Sequence, residues 1–199
     1  MDLTKYEKMY DTFDGGHDKR HLEEVRNFSI ELGKLYCSDK LEQIYVAATL
    51  HDVGLSIERE NHEHHSLNII KDDQNFKKAY TIEEQEEILE AIKEHRASSG
   101  SPKGIVARIV SDADKIAAGG TNRAFSRAYE WGVKRFPEIN HPGQLLRAAQ
   151  HLYIKFGPNG TGTRLYFEES KVRLDTVFKP IFETLAQEDL KKMESFLTN

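Results

Sequence analysis

The adjacent pair His51-Asp52 is the clearest candidate for chemistry in the sequence, because imidazoles and carboxylates are both common ligands of metal ions. Residues 45–50 before it are apolar and predict a buried helix that ends at the pair. Neighbouring residues of a helix point about 100° apart, so both side chains reach one ion only where the last turn relaxes. A buried His and Asp need hydrogen-bond partners or a cation. The pair alone therefore fits a metal site, and it also fits a simple hydrogen-bonded helix cap.

Two further residues extend the candidate site. His21 lies in the first turn of an amphipathic helix, next to the apolar face that begins at Leu22. Asp114 is embedded in an otherwise apolar helix, where a salt bridge to Lys115 is the alternative explanation. Seven of the nine histidines fall between His17 and His95. Two imidazoles and two carboxylates form a mixed nitrogen and oxygen ligand set, which suits Mn, Fe, Ni, Zn or Mg better than a soft metal.

Three blocks of sequence together resemble the HD-domain metal-dependent phosphohydrolases. They are HDKRHLEEV with His21, AATLHDVG with His51 and Asp52, and IVSDADKIAAGG with Asp114. The resemblance covers roughly residues 17 to 120. It implies an all-α HD-domain helical bundle in which these four residues hold one or two divalent metal ions. It also implies cleavage of a phosphate ester or anhydride by metal-activated water.

The same resemblance suggests further roles. Lys115 matches the family's phosphate-contacting Lys or Arg. Asp52 and His95 are candidate catalytic residues. His95 would act as a metal ligand or as a hydrogen-bond partner of the substrate phosphate. Additional histidines in two-metal members suggest a second ion at His62, His65 and His95. His62-x-x-x-Ser66-Leu67 resembles a sequence form seen in such members, which favours His62 as a ligand. His65 also has the helical position that a ligand requires. The alternative to a second metal site is a polar loop that happens to be rich in histidine.

The substrate class follows from what the chain resembles and lacks. The GYP segment of the cyclic-dinucleotide phosphodiesterases is absent, and 199 residues leave no room for a synthetase domain. The chain resembles the small stand-alone bacterial HD hydrolases, which implies a small phosphorylated substrate, most simply a nucleotide. Two other hypotheses stay open: a non-catalytic HD-fold module that binds a nucleotide or metal, and a di-iron HD-fold oxygenase that uses the extra histidines.

The remaining chain predicts only helices. They are expected at about 18–36, 40–52, 67–71 and 81–95, after Ser101-Pro102, at about 121–131, from Pro142 to 156, at about 163–185 and at about 187–197, with loops at 58–65 and 157–162. We expect one all-α domain over residues 1–199, with the motif core at about 17–120 and additional C-terminal helices at about 140–199.

Composition limits the partners. A net charge of -5 gives no general attraction to nucleic acid, so there is no DNA-binding signal. Neither a signal peptide nor an apolar run of about 20 residues is present, which predicts a cytoplasmic protein without membrane contact. The single cysteine, Cys37, is expected to serve packing. A homodimer is compatible with the sequence.

Overall fold

The computed structural model describes residues 1–14 and 16–197, and every regular element within them is a helix. The predicted all-α fold is thus confirmed. The chain divides into two compact units, Met1–Ala117 and Ala118–Asn199. The single domain over residues 1–199 stays a prediction, and each unit is described by itself.

In its described residues, 1–14 and 16–117, the first unit contains seven α-helices. They are α1 (Thr4–Glu7), α2 (Lys19–Tyr36), α3 (Leu41–Leu50), α4 (His62–Asp72), α5 (Gln74–Ala79), α6 (Ile82–Glu94) and α7 (Ile105–Ile116). Short 3-10 helices lie at Lys8–Asp11, Ser38–Lys40 and Val53–Ser56. Helix α2 packs against α3 and α7, and α6 packs against α3, α4 and α7. These contacts bury an apolar core between the helices that carry the candidate residues.

Several helix starts follow from their caps as the sequence predicts. The Asp18 side chain accepts hydrogen bonds from the backbone N–H groups of Arg20 and His21, which fixes the first turn of α2. Thr81 and Glu84 form a reciprocal capping box at the start of α6. The predicted start at Ser101-Pro102 is wrong, because the Glu90 carboxylate accepts the backbone N–H of Gly104 and α7 begins only at Ile105.

The predicted loop at 58–65 is correct only as far as Asn61. Helix α4 begins at His62 and is longer than the predicted 67–71 segment. Asn61 adopts a left-handed conformation with φ of 57°, which a polar Asn tolerates, and its carbonyl accepts the backbone N–H of His65. The polar composition of residues 58–65 therefore does not mark a loop throughout: residues 58–61 are exposed, whereas His62 and Glu63 are polar residues buried at the start of a helix.

Over residues 118–197, the part of it that the structure describes, the second unit contains four α-helices. They are α8 (Gly120–Arg135), α9 (His141–Phe156), α10 (Glu168–Ala186) and α11 (Leu190–Ser195), with a 3-10 helix at Thr161–Thr163. The predicted start of the long helix at 163 is wrong, since α10 begins at Glu168. Phe156 of α9 stacks on Phe178 of α10 with ring centroids 4.0 Å apart. Within residues 1–14 and 16–197, none of the helices combines the length and apolar character that crossing a membrane requires.

Candidate metal centre

Six potential ligands meet inside the first unit and form two groups. Group 1 consists of His21, His51 and Asp114; group 2 consists of Asp52, His62 and His95. In each group, one ligand atom from every residue lies within 4.8 Å of the others. All six are buried except Asp114, whose side chain is 20% exposed. The structure thus brings together the four residues of the sequence motif and two of the three histidines considered for a second ion.

Helix ends orient two of the imidazoles. His51 follows the last residue of α3, and its Nδ1–H donates to the carbonyl of Ala48 at 2.9 Å. His95 follows the last residue of α6, and its Nδ1–H donates to the carbonyl of Ile92 at 2.7 Å. The last carbonyls of a helix have no intrahelical partner, so a histidine at this position finds an acceptor three residues back. The end of each helix therefore fixes the direction of the ring.

The other two imidazoles are held in the same way. Nδ1–H of His62 donates to the carbonyl of Arg59 at 3.0 Å, just before α4. Nδ1–H of His21 donates at 3.2 Å to the carbonyl of Ala117, the residue at which α7 has ended. With Nδ1 engaged as a donor, each neutral imidazole presents an unprotonated Nε2. Four lone pairs consequently face the interior of the site.

The Asp52 carboxylate lies between the two groups. Its Oδ2 is 3.2 Å from Nε2 of His51 and 3.7 Å from Nε2 of His21. Its Oδ1 is 3.2 Å from Nε2 of His62 and 3.5 Å from Nε2 of His95. Each carboxylate oxygen therefore faces the histidines of a different group.

Both carboxylates of the site are ionised. Burial alone would raise the pKa of Asp52, but the imidazoles of His51, His62 and His95 around it, when they are protonated, hold it well below its usual range. Asp114 has Oδ1 3.2 Å from Nε2 of His21 and 3.8 Å from Nε2 of His51. Burial would raise its pKa too, and His21, when it is protonated, lowers it far below normal through its hydrogen bond and its charge. Negative charge is therefore buried among imidazoles.

This arrangement fits divalent cations. Nε2 of His62 and Nε2 of His95 lie only 3.1 Å apart, so they share a proton or, with both nitrogens unprotonated, repel unless a cation lies beside them. Nε2 of His51 and Oδ2 of Asp52 are buried and form no hydrogen bond within the described residues. A cation would satisfy all of these atoms. Nitrogen and carboxylate donors together suit Mn, Fe, Ni or Zn.

Two predicted site residues lie outside both groups. His65 has Nε2 2.9 Å from a carboxylate oxygen of Glu58, a half-exposed contact. Lys115 is buried, and its Nζ lies 4.0 Å from Oδ1 of Asp112. Ligation by His65 and phosphate contact by Lys115 stay predictions.

Ser66, Glu63 and Arg96 support the site in ways that the sequence did not predict, since Arg96 was considered only as a phosphate contact. Ser66 Oγ donates to the carbonyl of His51 at 2.7 Å and accepts the backbone N–H of Gly54 at 2.8 Å. Arg96 Nη1 donates to both oxygens of the buried Glu63 carboxylate at 3.2 and 3.3 Å. The spacing His62-x-x-x-Ser66 was a signal for the first contact. Only the packing of α4 on α6 reveals the second.

Comparison with known families agrees with this geometry. The sequence model of the HD domain matches residues 19–119, which is about half of the chain and includes all six ligands. No curated protein and no solved structure matches the chain significantly.

Proposed function

Because the chain belongs to the HD domain family, we propose that it is a metal-dependent phosphohydrolase that cleaves a phosphate ester or anhydride of a nucleotide at a two-ion centre. One observation supports this most directly. The Asp52 carboxylate directs one oxygen to the histidines of group 1 and the other to those of group 2. A carboxylate placed in this way would bridge two ions.

The ligands divide naturally between two ions. His21, His51 and Asp114 would hold the first ion together with Oδ2 of Asp52. His62 and His95 would hold the second together with Oδ1. Divalent ions supply Lewis acidity, which lowers the pKa of bound water and polarises a phosphoryl oxygen.

The protein's own residues hold the ligand atoms in position. Four backbone carbonyls fix the imidazole rings, so the ligand atoms need no rearrangement when charge develops on the phosphate. The partial exposure of Asp114 marks the side from which substrate enters. Lys115, next to Asp114, is the candidate cation for the phosphate, because phosphoryl transfer depends on positioning and positive charge.

The test combines elemental analysis with a phosphate-release screen. The purified protein is loaded with Mn, Fe, Ni, Mg or Zn and offered nucleoside mono- and triphosphates and simple phosphate esters. We expect two ions per chain and phosphate or pyrophosphate release from nucleotides. His51→Gln should lose the first ion and phosphate release, whereas His64→Gln, which changes an exposed histidine on α4, should keep two ions and phosphate release.

Two results would contradict the proposal. A protein with two ions that releases no phosphate from any of these compounds is not a phosphohydrolase of this class. Two irons together with dioxygen consumption in the presence of an organic substrate would instead favour the oxygenase hypothesis.

A further inference from the structure

The chain leaves the helical path of α3 at the point where His51 and Asp52 meet. Adjacent residues of a helix point about 100° apart, yet Nε2 of His51 and Oδ2 of Asp52 lie 3.2 Å from each other. His51 still has helical dihedral angles, with φ of -58° and ψ of -38°. Asp52 has φ of -105° and ψ of 3°, in the sparsely populated region next to the helical one. The change of direction at Asp52 brings its carboxylate back toward the His51 ring.

A phenol from the N-terminal segment holds the backbone just before this change of direction. Tyr10 lies in the 3-10 helix Lys8–Asp11, and its O–H donates to the carbonyl of Thr49 at 3.0 Å. Tyr10 is buried, with only 1% of its surface exposed. In a continued α-helix the Thr49 carbonyl would accept the backbone N–H of Val53, which belongs instead to the 3-10 helix Val53–Ser56. Tyr10 thus supplies a donor to one of the carbonyls that the end of α3 leaves without an intrahelical partner.

The Thr49 side chain is held from the same segment. Arg26 Nε donates to Oγ1 of Thr49 at 2.8 Å, and Oγ1 donates in turn to the carbonyl of Tyr45 at 2.7 Å. The Arg26 guanidinium also pairs with the carboxylate of Glu7 in α1. Thr49 is fully buried, so its polar groups cannot turn to water when a partner is removed. The N-terminal segment therefore fixes the carbonyl of Thr49 through Tyr10, and its hydroxyl through Glu7 and Arg26.

We propose that Tyr10 is a positioning residue of the metal centre, which holds the Thr49 carbonyl and thereby keeps Asp52 turned out of the helix with its carboxylate between the two ligand groups. The inference rests on the proposed function for the two ions, but not for the phosphate chemistry. Tyr10 acts through the backbone of Thr49 and not as a ligand. Without its hydroxyl the last turn of α3 can continue as a regular helix, and the Asp52 carboxylate then points away from the His51 ring.

The experiment is a calorimetric titration of the metal-free protein with Mn²⁺. Tyr10→Phe removes one hydroxyl and keeps the ring, so we expect the ions to bind about tenfold more weakly, the value of one buried hydrogen bond. Both ions should be affected, because each oxygen of Asp52 faces one ligand group. Electron paramagnetic resonance of the Mn²⁺-saturated protein adds a spectroscopic readout. The wild-type protein should show two ions coupled through the shared carboxylate, and Tyr10→Phe should show weaker coupling.

Tyr6 provides the matched control, because it is a second buried tyrosine in the same segment. Its O–H donates to Oδ2 of Asp73 at 2.5 Å, and Asp73 caps α5, a helix without a ligand residue. Tyr6→Phe should lower the unfolding temperature about as much as Tyr10→Phe does and should leave the affinity for both ions unchanged. Equal weakening of metal binding in the two variants would reduce Tyr10 to a general stabilising role and overturn the inference.

Glu7→Gln is a second variant, on the exposed side of the same arrangement. It weakens the hold of Arg26 on Thr49 and should reduce the affinity for the ions about threefold, in keeping with a partly exposed ion pair. Wild-type affinities in Tyr10→Phe would overturn the inference, and so would wild-type affinities in Glu7→Gln if Tyr10→Phe did not fold.

The wild-type protein separates this inference from the function on which it rests. If it binds two ions but releases no phosphate, only the proposed phosphate chemistry is contradicted, and the titrations still decide the role of Tyr10. If it does not bind two ions, the two-ion centre of the proposed function is overturned, and the inference with it.

Discussion

The two ligand groups face each other across one carboxylate, yet the chain supports them differently. Group 1 comes from α2, the end of α3 and α7, three long helices that pack against one another directly. Group 2 takes its histidines from the first residue of α4 and from the residue that follows α6. Group 1 is therefore part of the main core, whereas group 2 depends on how one additional helix is attached.

The attachment of α4 rests on a few close contacts. Ser66 connects α4 to the backbone of His51 and Gly54, and Glu63 connects its start to Arg96 beyond α6. The absence of a side chain at Gly54 is essential, since a Cβ there would lie 2.1 Å from the carbonyl oxygen of His62. Apart from the hydrogen bond of Ser66 to the backbone of His51, these contacts are separate from the helix packing that supports group 1. The second ion should consequently be removable without the first, and this difference can be tested.

The largest effect is expected at Asp52, the residue that both groups share. Asp52→Asn keeps the shape but removes the charge that faces four imidazoles, so we expect both ions to be lost. Phosphate release should fall about a thousandfold, because the ions supply several kcal/mol of transition-state stabilisation. Elemental analysis and circular dichroism, which should show unchanged helix content, check the result. Asp114→Asn should by contrast remove only the first ion, and retention of two ions by Asp52→Asn would contradict the bridging role.

The second largest effect is expected for Gly54→Ala, which should remove the ion of group 2 and leave the ion of group 1 in place. The added methyl would clash with backbone atoms of α4, at 2.1 Å from the oxygen of His62 and 2.5 Å from the nitrogen of Ser66. We expect the metal content to fall from two ions to one and the free energy of unfolding to fall by about 1–3 kcal/mol. Gly33→Ala is the control, because its methyl meets only side-chain ends, with Ile44 Cδ1 at 2.7 Å. That variant should keep both ions, and equal metal loss in the two variants would point to general destabilisation.

The difference in how the two groups are supported also explains which ligands the sequence could predict. Group 1 and Asp52 lie in motifs with strong local signals, namely an Asp18 cap, an apolar helix before His51 and a carboxylate inside α7. The histidines of group 2 were predicted less sharply, because the sequence offered three candidates, namely His62, His65 and His95. His62 and His65 are three residues apart and both fit one face of a helix, so spacing could not choose between them. The choice depends on where α4 begins and on the turn at Asn61, which are set by tertiary contacts.

A smaller effect is expected at Glu63. Burial would raise the pKa of its carboxyl, but a backbone hydrogen bond and the charge of Arg96 lower it, so the group is an anion paired with that arginine. Glu63→Gln should leave Arg96 without its carboxylate and loosen the start of α4. We expect about tenfold weaker binding of the second ion and unchanged binding of the first. Calorimetric metal titration measures both, with exposed Glu60→Gln as the control, and equal affinities in the two variants would exclude this role for Glu63.

The smallest effect is expected at His65, which the sequence could not distinguish from His62. Its Nε2 faces the Glu58 carboxylate, and it lies outside both ligand groups. His65→Gln should therefore keep two ions per chain and change kcat/KM less than about twofold, because a half-exposed contact contributes little. His62→Gln is the matched substitution one helical turn away and should lose the second ion. If His65→Gln lost an ion while His62→Gln kept two, group 2 would have to be rebuilt around His65, one helical turn further along α4.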